Sequence, residues 1–316
     1  MALFVQRIFD AFFNGAIYAS VALALVTIYR STGVLNFAQG EMSTFSAYIA
    51  YLLFTPAGAG AGAVAGAGIV AAIPGTPWPV PAAIVGAVAV GMVAGAVTER
   101  LLIRPLEGRS ALAAVNVTIG LLIAINGLDA QLWGSASRRF PSPFPSGPDD
   151  FVAVAGARLR YESIGVWLTL LVVLGLLGWM MRATKIGLAF RAVTANRESA
   201  ALAGIRIGRT LMLGWALAAG LGALSACLVA HTVVLEPSMM IRLLIFSFAA
   251  ATIGGLDSPL GAIVGGLIVA LTQTLVPGYL PFISTELSLL PPLAAMVMVL
   301  LIRPAGLFGS PAVQRV

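Results

Sequence analysis

The chain has 316 residues, of which 59% are apolar and 9% charged, with a mean hydropathy of +1.00. Soluble domains carry about 25% charged residues, so an ordinary globular domain is excluded, and the length leaves room for roughly eight spans of ~20 apolar residues. A net charge of +6 would suggest nucleic acid in a soluble chain, but here the 18 basic residues lie scattered over short loops, as orientation signals do on a membrane protein. One cysteine, Cys227, excludes an internal disulfide, and the lone His231 near it makes no metal cluster.

Helices that are apolar all round show little periodicity, so the spans are read by length and interruption. The first covers residues 8–29, with no small-residue cleavage site after it, and reads as a span rather than a removable signal. A polar break follows at Leu35-Asn36-Phe37-Ala38-Gln39-Gly40-Glu41, and the second span resumes over 42–54. Glu41 opens that helix, where the dipole favours an acid, and reads equally as a helix-start residue and as a pathway residue. Asn36 and Gln39 have no such helix-start duty, so they are read as lining a cavity. Residues 56–74 are apolar enough to embed, yet each glycine costs about 1 kcal/mol against alanine in a helix. An outer loop or helical extension is the preferred reading and puts the N-terminus outside; a crossing there puts it inside.

The third span, 81–98, carries Gly91 and Gly95 at the spacing of close helix packing. The loop 99–109 carries Arg100, Arg104 and Arg109. Span 111–133 contains Asn126 and Asp129, and an acid there is costly unless paired or solvated. Asp129 reads equally as interior or interfacial. Residues 134–162 are Pro/Ser-rich and end in an alternating stretch, which predicts a small extramembrane hairpin around Gly156. After a span at 163–181, the basic loop 182–209 predicts two short helices, about 187–194 and 197–203. Asn196 is the N-cap of the second, Glu198 lies in its first turn and Gly204 stops it. Such part-apolar, basic helices suit a docking surface; the alternative is a loop that only fixes topology. Span 210–231 ends at His231. The next, 243–276, comes in two pieces broken at Gly254-Gly255-Leu256-Asp257-Ser258-Pro259-Leu260-Gly261. Ser258 before Pro259 is what a helix start looks like, so Asp257 and Ser258 read first as caps and second as pathway ligands. Gly261 and Gly265 repeat the close-packing spacing, and 288–302 is the eighth span.

Short cytoplasmic loops are enriched in Lys and Arg, which places 99–109 and 182–209 inside and, by parity, 134–162 outside. The two broken segments, one in each half, point to a transport pathway, because backbone groups are freed within a membrane only where protein or a cavity satisfies them.

Three stretches carry a resemblance: NFAQGE after the first span, GLAFRAVTANRESAALAGI in the basic loop, and GGLDSPLGAIVGG followed by RPAGLFG. Together they resemble the permeases of bacterial ABC importers in the branched-chain amino acid (LivH-type) family, in matching order over nearly the whole chain. The resemblance implies an all-α polytopic membrane protein forming one permease domain over 1–316, in the bacterial inner membrane. It also implies four kinds of partner: a second related permease, two cytoplasmic ATP-binding subunits, an extracytoplasmic solute-binding protein, and membrane lipid. By the same resemblance no cofactor is expected to bind directly, and ATP and magnesium are expected in the partner ATPases. The family's coupling role falls on Arg191, Asn196, Arg197, Glu198 and Gly204. The solute path is expected along Asn36, Gln39, Glu41, Asn126, Asp257 and Ser258, by alternating access. The chain departs from the family in having Gln39 where histidine is usual, Asp257 where glycine is usual, and an enlarged 56–74 stretch. Solutes in the wider family include branched-chain amino acids, urea, short amides and aromatic acids.

The chain cannot power transport itself. A P-loop needs G-x-x-x-x-G-K-[ST], and the sole lysine, Lys185, follows Thr184. An intramembrane hydrolase lacks its G-x-S-x-G elbow. A secondary transporter or channel for a small polar solute is the rival reading, because broken helices suit it equally.

Overall fold

The computed structural model describes residues 2–56, 77–154, 156–280 and 287–310. The reading of 56–74 as an outer loop or extension falls almost wholly on residues outside that description. The described helices are α1 (Ala2–Thr32), α2 (Gln39–Phe54), α3 (Val80–Thr98), α4 (Ala111–Trp133), α5 (Tyr161–Ala183), α6 (Lys185–Ala195), α7 (Arg197–Leu202), α8 (Ile207–Val233), α9 (Met239–Gly254), α10 (Pro259–Tyr279) and α11 (Leu290–Ile302). One hairpin, β1 (Phe151–Val154) with β2 (Ala157–Arg160), pairs antiparallel with Val154 opposite Ala157. Its turn uses Gly156 at φ +79°, a conformation that glycine adopts without penalty. The hairpin expected around Gly156 is therefore present.

Among the described residues six helices are long and apolar enough to cross a membrane: α1, α3 with its extension to Leu106, α4, α5, α8 and α10. Eight were expected. The two that fall short are α2, which has 16 residues, and α11, apolar but shorter; of the two pieces expected over 243–276, α10 is long enough and α9 is not. The segment 99–109 also differs from expectation. The chain stays helical past Thr98 through a π-helical turn, Glu99–Ile103, and a 3-10 turn, Arg104–Leu106.

The residues cluster into two compact units, each assembled from separated stretches of sequence. One comprises Met1–Arg30, Phe144–Gly187 and Leu243–Val316. Within it, a side chain at Gly266 would strike the backbone of Ala19, and one at Gly265 the carbonyl of Ala250. Those glycines let α10 lie against α1 and α9, and a side chain at Gly261 would likewise strike the carbonyl of Gly254, so the Gly261/Gly265 spacing is a packing device as read. Tyr18 donates to Gln273 at 2.5 Å, and the Trp167 indole donates to the Phe12 carbonyl at 2.8 Å. The hairpin is tied to α1 through Gln6, whose side-chain oxygen accepts from the Arg158 amide at 2.8 Å. The break after α9 is closed locally. Ser258 accepts from the Gly261 amide at 3.0 Å as the N-cap of α10. Asp257 accepts from the Ser310 amide at 2.9 Å, while the carbonyls of Ile253 and Gly254 accept from Leu307 and Phe308 at 2.8 and 2.9 Å.

The second unit comprises Ser31–Pro143 and Leu188–Arg242. Here α3 runs opposite to both α2 and α8. Gly86 and Gly91 meet Leu53 and Ser46 of α2, while Gly91 and Gly95 meet Ala223 and Ala219 of α8. The second small-residue pair is thus also a packing device. In contrast, α4 runs the same way as α2: Asn126 reaches Glu41, and seven residues on, Trp133 stacks on Tyr48 with ring centroids 4.6 Å apart.

These directions give the unit two ends. At one, the Trp78 amide donates to Leu53 at 2.8 Å, Phe140 packs on Phe54, and Arg138 exchanges backbone bonds with Leu235. At the other, Arg104 reaches Gly208 and Arg197 reaches the carbonyl of Thr32. The basic segments 99–109 and 188–209 therefore share one end, and 134–143 lies at the other, as the parity argument requires.

Candidate solute site

The start of α2 lies at mid-depth in the second unit. The Gln39 side-chain amide donates to the carbonyl of Ala218 at 2.9 Å, and a methyl group at Gly222 would collide with Gln39 and Ser43. Ala218 and Gly222 flank the midpoint of the 27-residue α8, so a helix starts about 20 Å from either end of its neighbour. A chain break inside the apolar layer must have its polar groups satisfied by protein or by what it carries.

Asn36 satisfies much of this break. Its side-chain oxygen accepts from the Ala38 amide at 3.0 Å, its backbone carbonyl accepts from the Gln39 amide at 3.3 Å, and its Nδ2 donates to Gln39 Oε1 at 3.2 Å. This corrects the sequence reading, in which Asn36 and Gln39 were given no helix-start duty. Asn36 forms the turn that launches α2, and Gln39 bridges that turn to α8. Both are buried. The correction has a physical reason: an asparagine two residues before a free amide caps the chain from outside the helix, so a search for a cap at the helix boundary misses it.

Glu41 and Asn126 come together as expected, with Asn126 Nδ2 donating to Glu41 Oε2 at 3.3 Å and to the carbonyl of Pro237 at 3.2 Å. Glu41 is 1% exposed and its Oε1 has no hydrogen-bond partner among the described residues. One turn beyond Asn126 is Asp129, 0% exposed, with neither oxygen bonded among the described residues. Asp129 is therefore enclosed by protein, one turn before the end of α4. Four of the expected pathway residues therefore share one neighbourhood. Asp257 and Ser258 belong to the other unit; the cap reading holds for Ser258, whereas Asp257 caps no helix and instead holds the amide of Ser310.

The basic segment is built as the sequence indicates. Asn196 accepts from the Ser199 amide at 3.0 Å as the N-cap of α7. Gly204 ends that helix at φ +80°, with its amide bonded to Ala201 and the next amide, of Ile205, bonded back to Ala200. Val193, Ala200 and Leu211 form the small core that fixes α6 and α7 against α8. Arg191, Arg197 and Glu198 face solvent, and so does Leu202, at 91% exposure. Leu202 is a surface residue that the charge pattern did not single out, although its position before Ala203 and Gly204 at the helix end was visible.

A helix that starts at mid-depth among long apolar helices, with buried polar side chains around its first turn, is the architecture of a multi-pass membrane permease. The chain belongs to the family of permease components of the branched-chain amino acid transport system, whose model matches residues 7–302. It is 28% identical over 320 residues to the high-affinity branched-chain amino acid transport system permease protein LivH of Escherichia coli strain K12, covering 99% of this chain and 98% of that one. Its identity to the permease protein BraD of Pseudomonas aeruginosa is 27% over 319 residues, covering 99% and 98%. A probable LivH of Methanocaldococcus jannaschii is 27% identical over 308 residues, covering 92% and 87%. No solved structure matches the chain.

Proposed function

We propose that the chain is the membrane subunit of an ATP-driven (ABC) importer that moves branched-chain or related amino acids across the bacterial inner membrane by alternating access. It works with a second related permease, two cytoplasmic ATP-binding subunits and an extracytoplasmic solute-binding protein. The observation that carries the reading is the start of α2 at mid-depth, with Glu41 and Asp129 buried near it and the half-buried Asn126 bonded to Glu41. A site there is reached from either face by rearrangement of the helices that enclose it, and it holds polar groups that a purely structural bundle has no use for. The names of the relatives support the solute class, and full-length coverage supports the same role in the complex.

Arg191, Arg197, Glu198 and Leu202 form the face on which an ATPase subunit docks, with Asn196 and Gly204 holding α7 in shape beneath it. The decisive experiment uses the whole complex in proteoliposomes, with ATP enclosed and the solute-binding protein outside. Leucine uptake should require both. An Arg191→Ala, Glu198→Ala protein should insert normally yet lose stimulated ATP hydrolysis and uptake together. Uptake driven by an ion gradient without ATP would establish a secondary transporter instead, and normal coupling in the double variant would overturn the docking role.

A further inference from the structure

Three buried polar side chains of the second unit have oxygen atoms with no hydrogen-bond partner among the described residues: Glu41 Oε1, both oxygens of Asp129, and the Tyr48 hydroxyl. Tyr48 is 0% exposed, like Asp129. Their placement is set by two helices running the same way. Glu41 and Tyr48 lie seven residues apart on one face of α2; Asn126, Asp129 and Trp133 lie at spacings of three and four on one face of α4. The two faces are joined below by the Asn126–Glu41 bond and above by the Tyr48–Trp133 stack. Asp129 falls between those two links. The charge of Glu41 acts on Asp129, and the Tyr48 hydroxyl feels both carboxyl groups, together with Arg138 and Glu236 nearer its outer side. Arg138 is engaged elsewhere, donating to the carbonyl of Trp133 at 2.7 Å and covering the ring of Tyr51.

We propose that Glu41, Asp129 and Tyr48 form the seat for a primary ammonium group on the solute. Two buried carboxyl groups side by side repel when charged and are expensive to bury without a counter-charge. Among the described residues no partner is found for Glu41 Oε1 or for either oxygen of Asp129. A hard metal ion needs about six oxygen ligands, and among the described residues no group of three or more acids, histidines or cysteines is placed to hold one. An ammonium group has three N–H donors and no acceptor, which matches one oxygen from each of the three side chains. The stacked rings of Tyr48 and Trp133, with Phe45 edge-on to Trp133 at 5.2 Å, offer an apolar wall alongside. Asn126 holds Glu41 from the other side, leaving Oε1 to the ligand.

The inference rests on the transport reading and narrows it, since urea, simple amides and plain carboxylates lack the cationic amine. Its test does not require transport. The full-length chain, in lipid nanodiscs with its co-purifying subunits, is titrated with L-leucine, L-leucinol and 4-methylpentanoate while thermal unfolding is followed. Leucine and leucinol should raise the unfolding midpoint, and 4-methylpentanoate, which has no amine, should not. Glu41→Gln and Asp129→Asn should each weaken leucinol by about tenfold or more, the loss expected for one charge-assisted bond in a buried site. Tyr48→Phe, which removes one oxygen and keeps the ring, provides the same readout should either acid variant fail to insert. Leucinol affinity unchanged in these variants, equal binding of 4-methylpentanoate, or an Asp129-dependent response to sodium or potassium chloride alone would overturn the seat. If leucine uptake proves absent while leucinol binding stays Asp129-dependent, the seat stands and the transport reading falls.

Discussion

Arg104 holds Glu99 with two bonds, Nε to Oε1 at 3.2 Å and Nη2 to Oε2 at 2.7 Å, and the same Nη2 donates to the carbonyl of Gly208 at 2.6 Å. Glu99 is 1% exposed and Arg104 30%. One guanidinium therefore neutralises a buried acid and links the end of α3 to the start of α8. Removing one partner of a fully buried pair costs about 3–5 kcal/mol; with the arginine partly in water, about 2 kcal/mol is expected. Arg104→Ala should lower the thermal midpoint by several degrees, and adding Glu99→Gln should recover part of the loss, because no charge is then stranded. A midpoint equal to wild type in Arg104→Ala would show that the pair holds nothing together.

The two ends of the second unit should face opposite sides of the membrane. Ser135 is exposed at the end holding Trp78 and Leu235, and Ser199 is exposed at the end holding Arg104 and Gly208. Cys227, the native thiol, is buried and is removed as Cys227→Ala. In intact cells a membrane-impermeant thiol reagent should label Ser135→Cys only, with Ser199→Cys reacting after permeabilisation. Labelling of both positions in intact cells contradicts the arrangement.

Gly222 decides how closely α2 can start against α8. An alanine there would press its methyl group on the Gln39 amide and the Ser43 hydroxyl, and Gln39 is not free to swing away while it bonds Ala218. Gly222→Ala should cost about 1–3 kcal/mol, the usual range for overpacking, and lower leucine uptake by displacing Glu41, two residues from Gln39. A second substitution, Gln39→Ala, should return part of the stability by making room. Wild-type stability in the single variant would mean that α2 shifts at no cost.

Much of the fold was legible from run length alone. The bounds 111–133 of α4 are those expected, and both chain breaks fall where Gly and polar residues interrupt an apolar run. The Asn196 cap and the Gly204 stop were legible because both act on residues within a few positions. What lay beyond the sequence were pairings across long stretches of chain. Gln39 looked like a loop residue because its acceptor, Ala218, is 179 positions away. That Asp129 is enclosed by protein follows from the face α4 turns to α2, which the Asn126–Glu41 and Trp133–Tyr48 contacts fix. The helical run through Glu99–Leu106 was read as a loop because Pro105 and three arginines suggest one, whereas the Arg104–Glu99 pair keeps it wound.

The closing of the α9–α10 break by Leu307, Phe308 and Ser310 bears on how the protein should be handled at the bench. Residues 303–310 follow α11 without forming a helix, the kind of stretch that is trimmed before a purification handle is added. Cutting after Ile302 would strip the carbonyls of Ile253 and Gly254 of their donors and release Asp257, opening an interior turn from a distance of about fifty residues. A fluorescent or affinity fusion should begin no earlier than the residue after Ser310.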